Sequence, residues 1–382
     1  MTSPAPAAGA DVSYAVGLDG TELAIGAPGE NAIAGAVYAI DCSTLPCAPP
    51  LRIAPSDIVA GDAFGTAVGV SGNTLIATAS GAEPGAAYVF VSNGSGWVQQ
   101  ARLTPSGGTS GERFGVSASV SGDRLAIGAD KAGGGAGAIY VFVRNGTTWT
   151  QEARLTAADA TLPDALGSSV SLDADTLVAG APFKHGSALG SYANGAAYVF
   201  TRDAGGWSQQ AKLLAASSAN GDLFGLAVNV VADRAVIGAP YALISQGAAY
   251  VFDRSAGAWT QDAALTAAAG AQGDEFGWSV AQSDANIHVG APFAGQLAGA
   301  ACGGDYLFDG TSLAEVASGS IEAPVRNEMA GWSIVASGAR WIMSAPGYVI
   351  GTDEHAGAAY WFDATITVFH SGFDLPGACG AE

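Results

Sequence analysis

Two short signatures recur along the chain at an interval that never changes. The first is a Phe-Gly pair, at Phe64-Gly65, Phe114-Gly115, Phe224-Gly225 and Phe276-Gly277, with Leu166-Gly167, Val12-Ser13 and Ala330-Gly331 as degenerate copies. Fourteen residues after the first member of each pair stands the second signature: Gly26-Ala27-Pro28, Thr78-Ala79-Ser80, Gly128-Ala129-Asp130, Gly180-Ala181-Pro182, Gly238-Ala239-Pro240, Gly290-Ala291-Pro292 and Ser344-Ala345-Pro346. A third follows as GAAYVF at Gly85, Gly195 and Gly247, GAIYVF at Gly137 and GAAYWF at Gly357, with weaker forms at Gly35 and Gly303. A fourth opens at Trp97, Trp149, Trp207 and Trp259, and Cys47, Leu313 and Phe369 hold its place in the other units.

Each signature reads as a strand, because period-two alternation such as Tyr-x-Phe is bounded by Gly, Asn, Asp and Pro. Ser-Gly-Asn at 71 and Ser-Gly-Asp at 121 supply hairpin turns between the first two strands, and Asn93-Gly94 and Asn145-Gly146 between the last two. Fifty-five glycines and only 13% charged residues suit a fold of tight turns and close backbone contacts. Repeating units of about 50 residues with four antiparallel strands predict propeller blades. The expectation is an all-β, seven-bladed β-propeller over residues 9–375, with blades starting near 9, 61, 111, 163, 221, 273 and 327. Residues 1–8 form an extension and 376–382 a tail. Gly and Ala let blades pack face to face near the axis, while Tyr, Phe and Trp fill the outer wedge.

Residues 9–375 resemble the FG-GAP repeat family, named for the Phe-Gly and Gly-Ala-Pro pairs. The resemblance implies the seven-bladed propeller of integrin α-subunits and of many secreted or surface bacterial proteins, where it serves adhesion and recognition. The integrin calcium loop, Asp-x-Asp-x-Asp-Gly between strands one and two, has no counterpart. Its place is taken by Leu172-Asp173-Ala174-Asp175 and Val231-Ala232-Asp233, with too few oxygens for calcium. No cofactor or metal is expected. Unlike integrin propellers, this chain opens directly on a first strand, and Phe369 to Leu375 offers a fourth strand for unit seven. The ring should therefore close by blade packing, without strand exchange.

One connection varies freely. Between the Gly-Ala-Pro position and the next strand lie 6, 4, 6, 12, 6, 10 and 10 residues in units one to seven, whereas the strand-four-to-one crossover is constant. In an up-and-down blade both connections emerge on one face, so the variation collects there, where scaffold-borne loops bind. The candidate ligand-binding residues are Phe183, Lys184, His185, Tyr192, Tyr241, Phe293, Tyr348, Asp353, Glu354 and His355. The acidic residue before each Phe-Gly position, Asp62, Glu112, Asp164, Asp222, Asp274 or Glu328, either forms a collar around the channel or accepts backbone N–H bonds in the crossover.

Four cysteines without a Cys-x-x-Cys pair favour disulfides over zinc, paired as Cys42–Cys47 and Cys302–Cys379. That places the chain outside the cytoplasm or on the cell surface. The opening MTSPAPAAGA has no hydrophobic leader, as in a mature form, and no apolar run is long enough to insert in a membrane. A net charge of −20 disfavours nucleic acid. His185, His288, His355 and His370 are scattered among different units, and no catalytic constellation stands out. The expectation is a non-enzymatic binding or adhesion propeller whose partner is a protein or glycan, with an architectural module of a surface assembly, or a hydrolase or lyase using the same face, as the alternatives.

Overall fold

The two glycine signatures face each other across neighbouring blades. A Cβ added to Gly26 would collide with the carbonyl oxygen of Gly65 in the next unit, and Gly128, Gly180, Gly238 and Gly290 stand in the same relation to Gly167, Gly225, Gly277 and Gly331. Blade-to-blade contact is thus backbone on backbone, which only glycine permits. Where unit two carries Thr78 instead, its hydroxyl donates to the carbonyl oxygen of Gly115 at 2.7 Å, so the hydroxyl supplies the link across that junction.

In this computed structural model the described residues are 11–185, 193–217, 219–283, 285–295, 303–319, 328–347, 357–363 and 370–371. They form seven four-stranded antiparallel sheets, each of four consecutive strands. Blade one comprises Val16–Asp19, Glu22–Ala27, Ala36–Asp41 and Leu51–Ile53. Blade seven comprises Ile334–Ser337, Arg340–Ala345, Ala358–Asp363 and His370–Ser371. Its last strand pairs with Tyr360 and Trp361, so no strand is exchanged with blade one.

The first signature sits differently from the sequence-based expectation. Strand one generally starts about three residues later, at Ser117, Ser169 or Ala227, while the Phe position forms a parallel bridge to the third-strand glycine of the preceding blade. Gly35 bridges Phe64, Gly85 bridges Phe114, and the pattern repeats to Gly303 and Ala330. At the closing junction Gly357 lies against Val12, and the Ser13 hydroxyl donates to the carbonyl oxygen of Ala358 at 2.6 Å. The ring therefore closes with the same contact that joins its other blades.

Seven apolar clusters follow, one per junction. The cluster around Phe64 joins Ala24, Val37 and Ala39 of blade one to Leu75, Tyr88 and Phe90 of blade two. Phe64 is fully buried and meets Tyr88 edge-on at 5.5 Å. Burying one such ring contributes about 2–3 kcal/mol. Further out, strand four of one blade holds the next: Trp149 Nε1 donates to Gln100 at 2.8 Å and Trp207 Nε1 to Glu152 at 3.0 Å.

Junction six–seven departs from the apolar pattern. His288 and Asp305 replace the Val236 and Ala249 of blade five, and His288 Nδ1 lies 3.0 Å from Asp305 Oδ2, against the ring of Trp341. Both side chains are buried, so this histidine is a paired structural one.

Candidate binding site at the channel mouth

Before every Phe position the chain makes the same tight turn through a left-handed residue: Asp11, Ala63, Arg113, Ala165, Leu223, Glu275 and Met329 all have φ between 46° and 58°. The N–H three residues later closes the turn on that residue's carbonyl oxygen, as in Trp278 to Glu275 at 3.1 Å. Two side-chain positions per blade are thereby set where strand one enters the central channel. Strand one of every blade then lines a cavity of about 610 Å³.

The closing position of that turn is Tyr14, Thr66, Val116, Ser168, Leu226, Trp278 and Trp332 in blades one to seven. The large aromatics fall on three consecutive blades, and they touch. Tyr14 and Trp332 lie 5.9 Å apart with planes at 50°, Trp332 and Trp278 4.8 Å apart at 45°. Phe293, the residue after Gly-Ala-Pro in blade six, meets Trp278 edge-on at 5.7 Å. All four remain partly exposed. Blades two to four present small or aliphatic residues instead, so the mouth is lopsided.

One carboxylate, Glu275, borders this arc, three residues before Trp278, and a second, Asp130, stands on blade three across the mouth. Burial pushes the Glu275 carboxyl up to about 7, partly offset by a hydrogen bond with Tyr241. Burial likewise raises Asp130 above its ordinary range, against the opposing pull of Arg113, whose guanidinium stands 2.9 Å away. The Tyr14 hydroxyl is also raised by burial, while Arg113 pulls it back, which brings Arg113 within electrostatic reach of the arc. Glu275 Oε2 and Asp130 Oδ1 are buried oxygens with no hydrogen-bond partner among the described residues.

Several residues singled out from sequence sit at or near this mouth. Phe183 is exposed, Tyr241 and Phe293 are partly buried, and His185 is exposed. Lys184 is placed otherwise: its side chain is buried, donating to the carbonyl oxygen of Asp159 and to Asp164 Oδ2 at 2.7 Å, so it braces the crossover instead of facing solvent. Tyr192, Tyr348, Asp353, Glu354 and His355 lie outside the described residues. So do Cys302 and Cys379, whereas Cys42 and Cys47 are disulfide-bonded. The recurring acidic residue belongs to the crossovers: Asp62, Asp164, Asp222 and Asp274 accept the N–H of Val59, Thr161, Ala219 and Ala271 at 2.6–2.9 Å, and Glu112 and Glu328 accept the hydroxyls of Tyr140 and Tyr360. None of them lines the channel. Among the described residues no group of three or more His, Cys, Asp or Glu could hold a metal ion.

Tyr14, Trp278, Trp332, Arg113 and Glu275 escaped the sequence reading. Their signal was available in the columns of the repeat, two residues after the Phe position and one before it, where most units carry small or aliphatic residues.

Five stretches, 51–90, 97–142, 149–200, 207–252 and 259–308, match the family model described as FG-GAP repeat, together more than half the chain. The chain belongs to the FG-GAP repeat family. Each matched stretch runs from strand four of one blade to strand three of the next, so the FG-GAP unit describes a junction between blades. No curated protein matches the chain in sequence. Among solved structures, the crystal structure of Sqt1 from Saccharomyces cerevisiae superimposes with a TM-score of 0.53 over 96% of this chain and 85% of that one, at 10% identity. The likeness is one of fold.

Proposed function

We propose that this FG-GAP propeller is an extracytoplasmic or cell-surface binding module, recognising a protein or glycan through the face that carries the strand-two-to-three loops and crossovers. The observation that supports this most is an asymmetry of exposed apolar surface. Tyr14, Ile33, Val59, Leu162, Phe183, Leu243 and Ile244 are exposed and all belong to that face. On the opposite face, among the described residues, Leu45 is exposed in a turn, and Leu51, Val98 and Val316 are exposed on the fourth strands at the outer rim. Apolar patches of this kind mark interaction sites.

Backbone strain points the same way. The loops of blades one and five run through three consecutive left-handed residues, Asn31 to Ile33 and Leu243 to Ser245. A β-branched residue there costs on the order of 1–3 kcal/mol. Blade three makes a like turn with Gly133 and Gly134. The turn itself serves the scaffold, since the carbonyl oxygens of Ile33 and Ser245 accept the N–H groups of Ala63 and Glu275 in the next blade, yet it carries the β-branched Ile33 and Ile244 with their side chains in solvent. The family is generally non-catalytic, in keeping with a binding role. The Cys42–Cys47 disulfide fits an oxidising compartment, and among the described residues no helix is long and apolar enough to cross a membrane.

The test compares the intact chain with one whose Glu30–Ile33 and Ala242–Ser245 turns, and residues 183–194 and 347–356, are replaced by glycine-rich turns. Both are screened against immobilised glycans and surface proteins. Binding lost in the folded variant supports recognition on this face, and binding unchanged places it elsewhere. No binding by either form favours a purely architectural module.

A further inference from the structure

Resting on that reading, we propose that the aromatic arc Tyr14, Trp332, Trp278 and Phe293 is a saccharide subsite that stacks a neutral sugar ring at the channel mouth, with Glu275, three residues before Trp278, receiving its hydroxyls. The arc forms a continuous aromatic wall: successive rings touch with planes tilted by 50° and 45°, and all four residues are partly open to solvent. A pyranose presents an apolar C–H face to such a wall and a rim of hydroxyls outward.

The bordering groups decide between ligand classes. One buried carboxyl oxygen beside the arc, Glu275 Oε2, has no partner among the described residues, and leaving such a group unpaired is costly. An aliphatic or aromatic protein side chain covering the arc would leave it so. Sugar hydroxyls both donate and accept, and pair with either protonation state. An anionic ligand meets a chain of net charge −20. A cation finds no cluster to hold it, because no group of three or more His, Cys, Asp or Glu stands together among the described residues. The polar, hydroxyl-rich neutral ring is what remains. The roughly 610 Å³ channel beneath the arc leaves room for a second ring below the first.

The experiment titrates the full chain with methyl glycosides and neutral trisaccharides of glucose, galactose, mannose, xylose and N-acetylglucosamine, with oligogalacturonate as the anionic control. Tryptophan fluorescence reports the site, since Trp278 and Trp332 form it, and ligand-observed NMR reports binding independently. At least one neutral series binds and shifts the fluorescence. Trp332→Ala and Trp278→Ala each weaken it tenfold or more while Trp332→Phe keeps most of the affinity. Thermal melts of each variant separate lost folding from lost binding.

No response to any neutral sugar up to about 10 mM overturns the proposal. So does binding that survives both alanine variants. If binding survives them but disappears in the loop-replaced chain, the subsite is wrong and the recognition face stands. If the loop-replaced chain binds as well, both fall.

Discussion

Strand one of each blade has two ends, and they do opposite things. At the end near the strand-one-to-two turns, side chains join blade to blade. Asp19 accepts the N–H of Gly72, Ser71 that of Gly122, Ser121 that of Ala174 and Asp173 that of Ala232, and at the closing junction Ser337 accepts that of Gly20. Val231 interrupts the series, and there Gln282 of blade six bonds to the carbonyl oxygen of Arg234 instead, while at junction six–seven the Ser283 hydroxyl has no hydrogen-bond partner among the described residues. At the other end, Tyr14, Trp278 and Trp332 stand where sister blades carry Thr66, Val116 and Ser168. The same strand is uniform where its side chains are consumed by neighbours and variable where they are not. Freedom to bind is what remains after the ring has been assembled.

The comparison breaks most sharply if the scaffold proves tolerant. Gly180→Ala drives a Cβ into the carbonyl oxygen of Gly225, and a loss of more than about 3 kcal/mol in urea unfolding is expected. A variant of wild-type stability would mean the junction can open, and the glycine account would be wrong.

Next in size is the polar irregularity inside the scaffold. Asp305→Ala leaves His288 buried without its partner and should cost about 2–3 kcal/mol. The double change His288→Val with Asp305→Ala restores the pairing seen in blade five and should return to within about 1 kcal/mol of the parent. A double variant as poor as the single would show that packing, not pairing, is at issue.

Asp173→Ala should cost about 1 kcal/mol in the same assay by removing its bond to Ala232, and leave ligand affinity unchanged. An altered affinity would erase the division between the two ends.

At the mouth, Glu275 titrates near 7 in the folded chain against an ordinary 4.5. Between those values the folded state holds the proton more firmly than the unfolded one, so stability is greatest below about 4.5 and declines as pH rises to about 7. Allowing for partial exposure, the decline is on the order of 1 kcal/mol. Glu275→Gln should flatten it, and a variant that keeps the full slope assigns it to another group.

The smallest effect has the opposite sign. Ile244→Gly relieves a left-handed β-branched residue and should stabilise the chain by a few tenths to 1 kcal/mol while weakening any ligand that touches blade five. Destabilisation would show that Ile244 contributes packing despite its exposure.

Blade number, strand order and the mode of ring closure were legible because each repeat must solve the same local problem with the same residues. Phe at one position and Gly fourteen residues on are read directly. Lys184 was a ligand-binding candidate by its loop position, and nothing local announces that Asp164, twenty residues back, will bury its side chain. The disulfide between Cys42 and Cys47 was readable from a separation of five residues.

What the sequence by itself determined is the repeating unit: its strands, its turns, and the small residues that let two backbones touch. Those follow from steric limits acting over a few residues. Only the tertiary structure decided that Tyr14, Trp278 and Trp332 meet. Residue 14 opens the chain and residue 332 lies near its end, and they become neighbours because ring closure brings blade seven against blade one. Contact between residues so far apart in sequence is a property of the closed ring, and no local pattern encodes it.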